Sequence, residues 1–213
     1  MKAILMSCNN CNEEYAYNTV KEYIKSDMKV LCVPFASELN WQLKDDRDEY
    51  KMRHYNVFKS FGIPEENITI ASIKDKRSVL IEKFTEADII FFSGGYMENL
   101  LYLIHTLNLK FIMTYIKHTK LIMGESAGTL ALLDEYVEVP FIEDAYKDYV
   151  IRKGLDFIDS YNIIVHYREW DRNHHVNREI ISTINEKPTV CLTDKALMII
   201  DEEEVKFVGN YLI

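Results

Sequence analysis

The residues with the clearest chemical meaning lie in Gly124-Glu-Ser-Ala-Gly128. The apolar run Leu121–Met123 leads directly into this segment, and an amphipathic run carrying Leu130, Leu132 and Leu133 leaves it. A strand, a sharp glycine-flanked turn and a helix, with serine at the apex, form the G-x-S-x-G nucleophile elbow. Glycine suits such a turn because strand and helix backbones approach too closely for a β-carbon. The Ser126 hydroxyl is then pushed outward at a helix N-terminus, where free N–H groups and the helix dipole can receive an oxyanion. The chemistry this implies is attack of Ser126 on a carbonyl.

Two further segments carry groups such a serine needs. In Phe92-Ser-Gly-Gly95-Tyr-Met-Glu-Asn99, a Gly-Gly pair follows an apolar run. The N–H groups of Gly95 and Ala127 would make a two-donor oxyanion hole, in which loss of one donor raises the barrier by ~2.7–4 kcal/mol. In Ile163-Ile-Val-His166-Tyr-Arg-Glu-Trp-Asp-Arg172, His166 ends an apolar run, so its ring faces the loop side, where a base for Ser126 must be. His174 and His175 compete for that role from a polar stretch, while His54, His105 and His118 fall in helical runs and read as surface or interhelix residues. A serine–histidine pair wants a third group to hold the ring. Asp134, Glu135, Glu138, Glu143, Asp144, Asp148, Asp156 and Asp159 all lie between the turn and His166, and the residues alone do not choose among them. A metal set of Glu169, Asp171, His174 and His175 lacks helical or hairpin spacing. Cys8-Asn-Asn-Cys11 is a C-x-x-C without a second ligand pair and reads as a loop with two incidental thiols.

The elements that must position these groups alternate along the chain. Strands are expected at Lys2–Ser7, Lys29–Pro34, Ile68–Ser72, Asp88–Ser93, Lys120–Met123, Tyr161–Val165, Thr189–Leu192, Leu197–Ile200 and Val205–Val208. The early ones are near-continuously apolar, as parallel strands covered on both faces are. Helical periods fill the gaps at Glu14–Lys25, Asp48–Phe61 (stopping at Gly62), Ser78–Ala87, Glu98–Ile116 and Asn177–Ile184. The pattern predicts a doubly wound α/β fold. Its sheet is mostly parallel, with helices on both faces and a C-terminal edge hairpin turning at Asp201–Glu204. At 213 residues without linkers or repeats, residues 1–213 read as one domain. A net charge of −9 argues against nucleic-acid or anionic-membrane partners. No apolar run reaches the ~20 residues of a membrane span, and the start is too briefly apolar for a signal peptide; a cytoplasmic location is the expectation. The oligomeric state is left open, a homodimer included.

Taken in order, five features resemble the peptidase E and cyanophycinase family of serine peptidases, whose fold is related to class I glutamine amidotransferases. They are the opening strand ending near Ser7, Ser93-Gly-Gly95, Gly124-Glu-Ser-Ala-Gly128, Lys153-Gly-Leu-Asp-Phe157, and Val165-His-Tyr167 followed by an Arg-bearing helix. The resemblance implies Ser126 as nucleophile and His166, 40 positions on, as base. It places the acid shortly before the Gly-Leu element, which favours Asp144, then Glu143, then Glu138. Tyr96 stands where the family commonly has Asn, with Asn99 later, and Thr129-Leu-Ala follows Ser-Ala-Gly. The substrate pocket is expected from Gly94, Tyr96, Asn99, Glu125 and Arg178, the last as a bidentate partner for a substrate carboxylate. The implied reaction is hydrolysis of short peptides, dipeptides with N-terminal aspartate among them, without cofactor or metal.

Three rivals remain. An α/β-hydrolase esterase shares the turn but would bring a His-Gly oxyanion segment that the chain lacks. A non-catalytic, amidotransferase-like binding or regulatory protein would keep the fold without turnover, and Glu125 beside the serine could oppose an oxyanion. Zinc or redox chemistry would run through Cys8 and Cys11.

Overall fold

In the computed structural model, which describes residues 1–37, 48–138, 150–170, 172–184 and 186–213, alternate residues of the central strands feed two different cores. Strands β1 (Lys2–Met6), β2 (Val30–Val33), β3 (Ile68–Ile70), β4 (Ile89–Phe92) and β5 (Leu121–Glu125) pair in parallel in the order β1-β5-β4-β2-β3. Every residue of β2, β4 and β5 is buried. Leu31, Val33, Ile90, Phe92 and Ile122 face one core, while Val30, Cys32, Ile89, Phe91, Leu121 and Met123 face the other. This two-residue period is that of a sheet covered on both sides. Helices α1 (Glu14–Val20) and α2 (Asp48–Ser60) supply Val20 and Phe58 to the second core. The first core takes Phe84 from α3 (Arg77–Glu86), Leu100 from α4 (Met97–Thr106) and Ile116 from α5 (Lys110–Thr119). The fold is the expected doubly wound α/β type.

Helix ends follow from local chemistry. Helix α2 ends at Gly62, whose φ is 87°, with Gly62 N–H donating to Lys59 O and Ile63 N–H to Phe58 O. This is the Schellman pattern, with glycine in the left-handed position. The sequence pattern runs unbroken from Glu98 to Ile116, but the structure divides it into α4 and α5. Asn108 takes φ 50° there, with Asn108 N–H bonded to His105 O and Leu109 N–H to Ile104 O. Asparagine tolerates the left-handed conformation and closes the same Schellman turn that glycine does elsewhere. The apolar period continues across the break because both helices pack on the same core.

After β5 come α6 (Ala127–Ala131) and a separate two-stranded antiparallel sheet, β6 (Glu135–Glu138) with β7 (Val150–Lys153), which the sequence pattern does not predict. Then follow β8 (Asn162–Ile164), α7 (Arg172–Ile184), β9 (Thr189–Asp201) and β10 (Glu204–Leu212). The β9–β10 hairpin closes at Asp201–Glu204 and lies at the sheet edge, as expected. One correction matters for the site. Thr189–Leu192 and Leu197–Ile200 are not two strands but parts of the single 13-residue β9. Its first part pairs in parallel with β8 and its second part antiparallel with β1. The carboxyl ends of β1 and β8 therefore converge on the same short stretch of β9, around residues 192–196.

Candidate active site

Ser126 occupies a conformation that only its surroundings can hold. Its φ is 50° and its ψ −115°, unusual for any residue but glycine. The main chain fixes it there: Ser126 N–H donates to Met6 O at 2.8 Å, and Ser126 O accepts Leu130 N–H at 3.1 Å. Thr129 Oγ1 ties α6 to β1, donating to Met6 O at 2.8 Å and accepting Met6 N–H at 3.1 Å. A β-carbon on Gly128 would lie 2.1 Å from Phe92 O, so only glycine lets the helix approach β4 this closely. The side chain of Ser126 is left facing the carboxyl ends of the strands, where ligands bind in such sheets.

His166, two residues beyond β8, also takes a positive φ, 55°. Its N–H donates to Ser7 Oγ at 3.0 Å, Ser7 Oγ donates to Leu192 O at 2.9 Å, and Tyr167 N–H donates to Leu192 O at 2.9 Å. The ends of β1 and β8 are thereby stapled to β9, and the ring is aimed between them. Nε2 of His166 lies 2.8 Å from Ser126 Oγ, and Nδ1 lies 2.6 Å from Asp194 Oδ1. A carboxylate only accepts, so the proton of the neutral ring sits on Nδ1 and Nε2 is the acceptor for the serine hydroxyl. Of the competing histidines, His175 is bonded to Glu169 O and to Tyr167 OH instead, and the His174 side chain lies outside the described residues.

The carboxylate on the ring is thus Asp194, downstream of His166, and not an acid between the turn and His166. Asp194 is in the middle of β9, where β1 and β8 converge, and Asn10 Nδ2 anchors it by donating to its main-chain oxygen at 2.6 Å. Partial burial pushes its carboxyl up, but the hydrogen bond and charge of His166, the Cys8 thiol and Arg168 outweigh this and hold it below its ordinary value. Asp144, Glu143 and Asp148 lie outside the described residues, as does the Glu138 side chain. Asp134 is engaged by Lys187 at 2.7 Å and Glu135 by Lys153. The polar break Thr193-Asp-Lys195 between two apolar runs was the available signal for Asp194, and it reads equally well as a turn.

Glu125, directly before the serine, is only 3% exposed. Its Oε1 accepts Arg53 Nη2 at 2.6 Å and Asn9 N–H at 3.2 Å, and its Oε2 accepts Gly94 N–H at 3.4 Å. This carboxylate is turned away into a set of donors, so it binds the Gly-Gly segment rather than the reaction centre. His54, expected at a surface or between helices, is buried beside it: its Nδ1 lies 4.0 Å from Glu125 Oε2 and accepts from Asn9 Nδ2 at 3.0 Å. Burial, helped by the Arg53 charge, pushes its pKa down to about 3, so the ring is neutral.

Gly95 has φ 138°, and a β-carbon there would lie 2.3 Å from Ala36 O. Tyr96 N–H is bonded to that carbonyl at 2.6 Å. Among the described residues, no acceptor takes the N–H of Gly95 or of Ala127, the first residue of α6. The remaining expected pocket residues scatter. Tyr96 is 57% exposed at the start of α4, Asn99 Nδ2 donates to Ser37 O at 3.4 Å, and Arg178 Nη2 donates to Ile213 O at 3.1 Å. Arg178 is thus held against the end of the edge hairpin.

The profile of peptidase family S51 matches residues 3–208 of the chain. The chain belongs to this family of serine peptidases. A protein from Listeria monocytogenes EGD-e, provisionally assigned as a peptidase E, superimposes with a TM-score of 0.72 at 17% identity, covering 98% of each chain. A peptidase from an acI-B1 actinobacterium superimposes with a TM-score of 0.69 at 16% identity, covering 98% of this chain and 87% of its own. At such identities these structures share the fold. No curated protein matches the sequence significantly. Among the described residues, no helix of this S51 chain is long and apolar enough to cross a membrane.

Proposed function

We propose that the chain hydrolyses short peptides through an acyl-enzyme on Ser126, with Ser126, His166 and Asp194 as its catalytic triad. The observation that carries this reading is the continuous hydrogen-bonded line from Ser126 Oγ to His166 Nε2 (2.8 Å) and from His166 Nδ1 to Asp194 Oδ1 (2.6 Å). Ser126 attacks the carbonyl carbon while Nε2 takes its proton, and the imidazolium so formed is stabilised by the Asp194 carboxylate. The N–H groups of Gly95 and Ala127 receive the oxyanion. The tetrahedral intermediate collapses as the imidazolium gives its proton to the leaving amine. Water then repeats the sequence on the acyl-serine.

Glu125 supports this scheme instead of opposing it. Its charge is already met by Arg53, Asn9 and Gly94, and the Gly94 bond holds the neighbouring Gly95 peptide in place. The substrate class follows from the family: short peptides, with N-terminal Asp-X dipeptides the first to try. A cytoplasmic location belongs to the same proposal.

The experiment is labelling with a fluorophosphonate probe together with hydrolysis of a dipeptide panel with varied first residue. The proposal expects one label per chain, lost in Ser126→Ala, and turnover of at least one dipeptide class. A native protein that takes no label and cleaves no dipeptide would remove the reading in favour of a binding protein.

A further inference from the structure

Beside the His166–Asp194 pair lies a third ligating side chain, the Cys8 thiol. Cys8 follows the end of β1, and its Sγ is 3.6 Å from Asp194 Oδ1. The donor atoms of Cys8, His166 and Asp194 all lie within 4.8 Å of one another, and all three residues are partly exposed. Cys11, the other half of the C-x-x-C, takes no part: it is fully buried and its thiol faces Asn9 Oδ1 at 3.7 Å.

We propose that Cys8 Sγ, His166 Nδ1 and an Asp194 carboxylate oxygen form a binding site for a thiophilic divalent cation, best matched by zinc, and that the bound ion switches the hydrolase off. Zinc binds thiolate at about 2.3 Å and imidazole or carboxylate at about 2.0–2.2 Å, so tetrahedral donors stand about 3.3–3.6 Å apart. The sulfur–oxygen separation already meets this. The nitrogen–oxygen separation of 2.6 Å must widen by about 0.7 Å. The Asp194 side chain is 47% exposed and can turn to allow it. One thiolate, one imidazole and one carboxylate, with a water on the open side, suit zinc and exclude magnesium or calcium, which prefer oxygen throughout.

Inhibition follows from the ring's tautomer and rests on the proposed function. Metal binding releases the Cys8 thiol proton to solvent and occupies Nδ1 of the neutral ring. The remaining ring proton must then sit on Nε2, the atom that faces Ser126 Oγ. A nitrogen that already carries a proton cannot accept one from the serine, and Asp194 is withdrawn from the ring at the same time. The binding of the ion itself does not rest on the proposed function.

The test uses the full chain and reads binding and activity separately. Cobalt(II) is titrated into native protein, Ser126→Ala, Cys8→Ser and Cys8→Ala while thiolate-to-cobalt charge-transfer absorption is followed. Zinc is then titrated into the hydrolysis assay, with a chelator added afterwards. The site predicts the absorption band in native protein and Ser126→Ala, and no band in either Cys8 variant. It also predicts chelator-reversible inhibition, with the half-inhibitory zinc concentration raised at least about tenfold in both Cys8 variants, since even outer-shell changes cost 10–100-fold in metal affinity. Absence of the band from native protein, its persistence without Cys8, or equal zinc sensitivity with and without Cys8 overturns the proposal. A native protein that binds cobalt but hydrolyses nothing keeps the site and instead defeats the peptidase reading.

Discussion

Two histidine–carboxylate pairs serve the Ser126 region, and their differences separate chemistry from scaffolding. His54 and Glu125 are both buried, 4.0 Å apart, with the histidine engaged by Asn9 and the carboxylate by Arg53, Asn9 and Gly94. Every strong polar contact there is already made, and the ring is held neutral by its surroundings. His166 and Asp194 are 2.6 Å apart and each nearly half exposed, and Nε2 faces the Ser126 hydroxyl at 2.8 Å. A buried, saturated pair fixes backbone; an accessible pair with one ring nitrogen directed at a nucleophile can move a proton. Proximity in sequence to the serine favours Glu125, yet three-dimensional geometry assigns the ring-holding role to Asp194.

Removing the nucleophile is the sharpest way to break this distinction. Ser126→Ala is expected to lower kcat by a factor on the order of 10⁶, as loss of the nucleophile does in a well-studied serine protease. Its urea midpoint should stay near native, because only one half-buried oxygen and its bond to the His166 ring are lost; steady-state rates and equilibrium unfolding check both halves. Next in size is Asp194→Asn, expected to lower kcat by about 10⁴ with the fold intact. Asp144→Asn and Glu143→Gln are expected to leave kcat within a few-fold of native. If either of them matches the Asp194 effect, the assignment of the acid is wrong.

The buried pair should answer in stability instead. His54 binds a proton with a pKa of about 3 in the fold against 6.5 ordinarily. Between those values the unfolded chain carries more protons than the native one, so stability falls as pH drops. Between pH 6.5 and 4.5 this amounts to about 2–3 kcal/mol, and His54→Gln should flatten that slope in urea titrations. The smallest effect is expected from Glu125→Gln, which turns a donor toward Gly94 N–H or Arg53. A loss of about 1–3 kcal/mol in stability is expected, with a kcat loss far below that of Asp194→Asn. A kcat collapse at unchanged stability would instead put Glu125 in the reaction.

The sequence by itself determined whatever depends on neighbours along the chain. The Leu121–Leu133 stretch encodes strand, turn, apical serine and helix in consecutive residues, and the Ile163–Val165 run fixes where His166 emerges. Gly62 marks a helix end for the same local reason. Asn108 does not announce itself, because asparagine takes the left-handed turn only when packing on both sides calls for it. Which carboxylate meets the His166 ring was decided by tertiary structure alone. Asp194 reaches His166 because β9 is one continuous strand, paired with β8 over its first part and with β1 over its second. Those pairings are between residues far apart in the chain, so Thr193-Asp-Lys195 looks like a turn until both partners are in place. The same non-local pairing brings Cys8 to the site and leaves Cys11 buried, a division of one short motif that no local spacing could reveal.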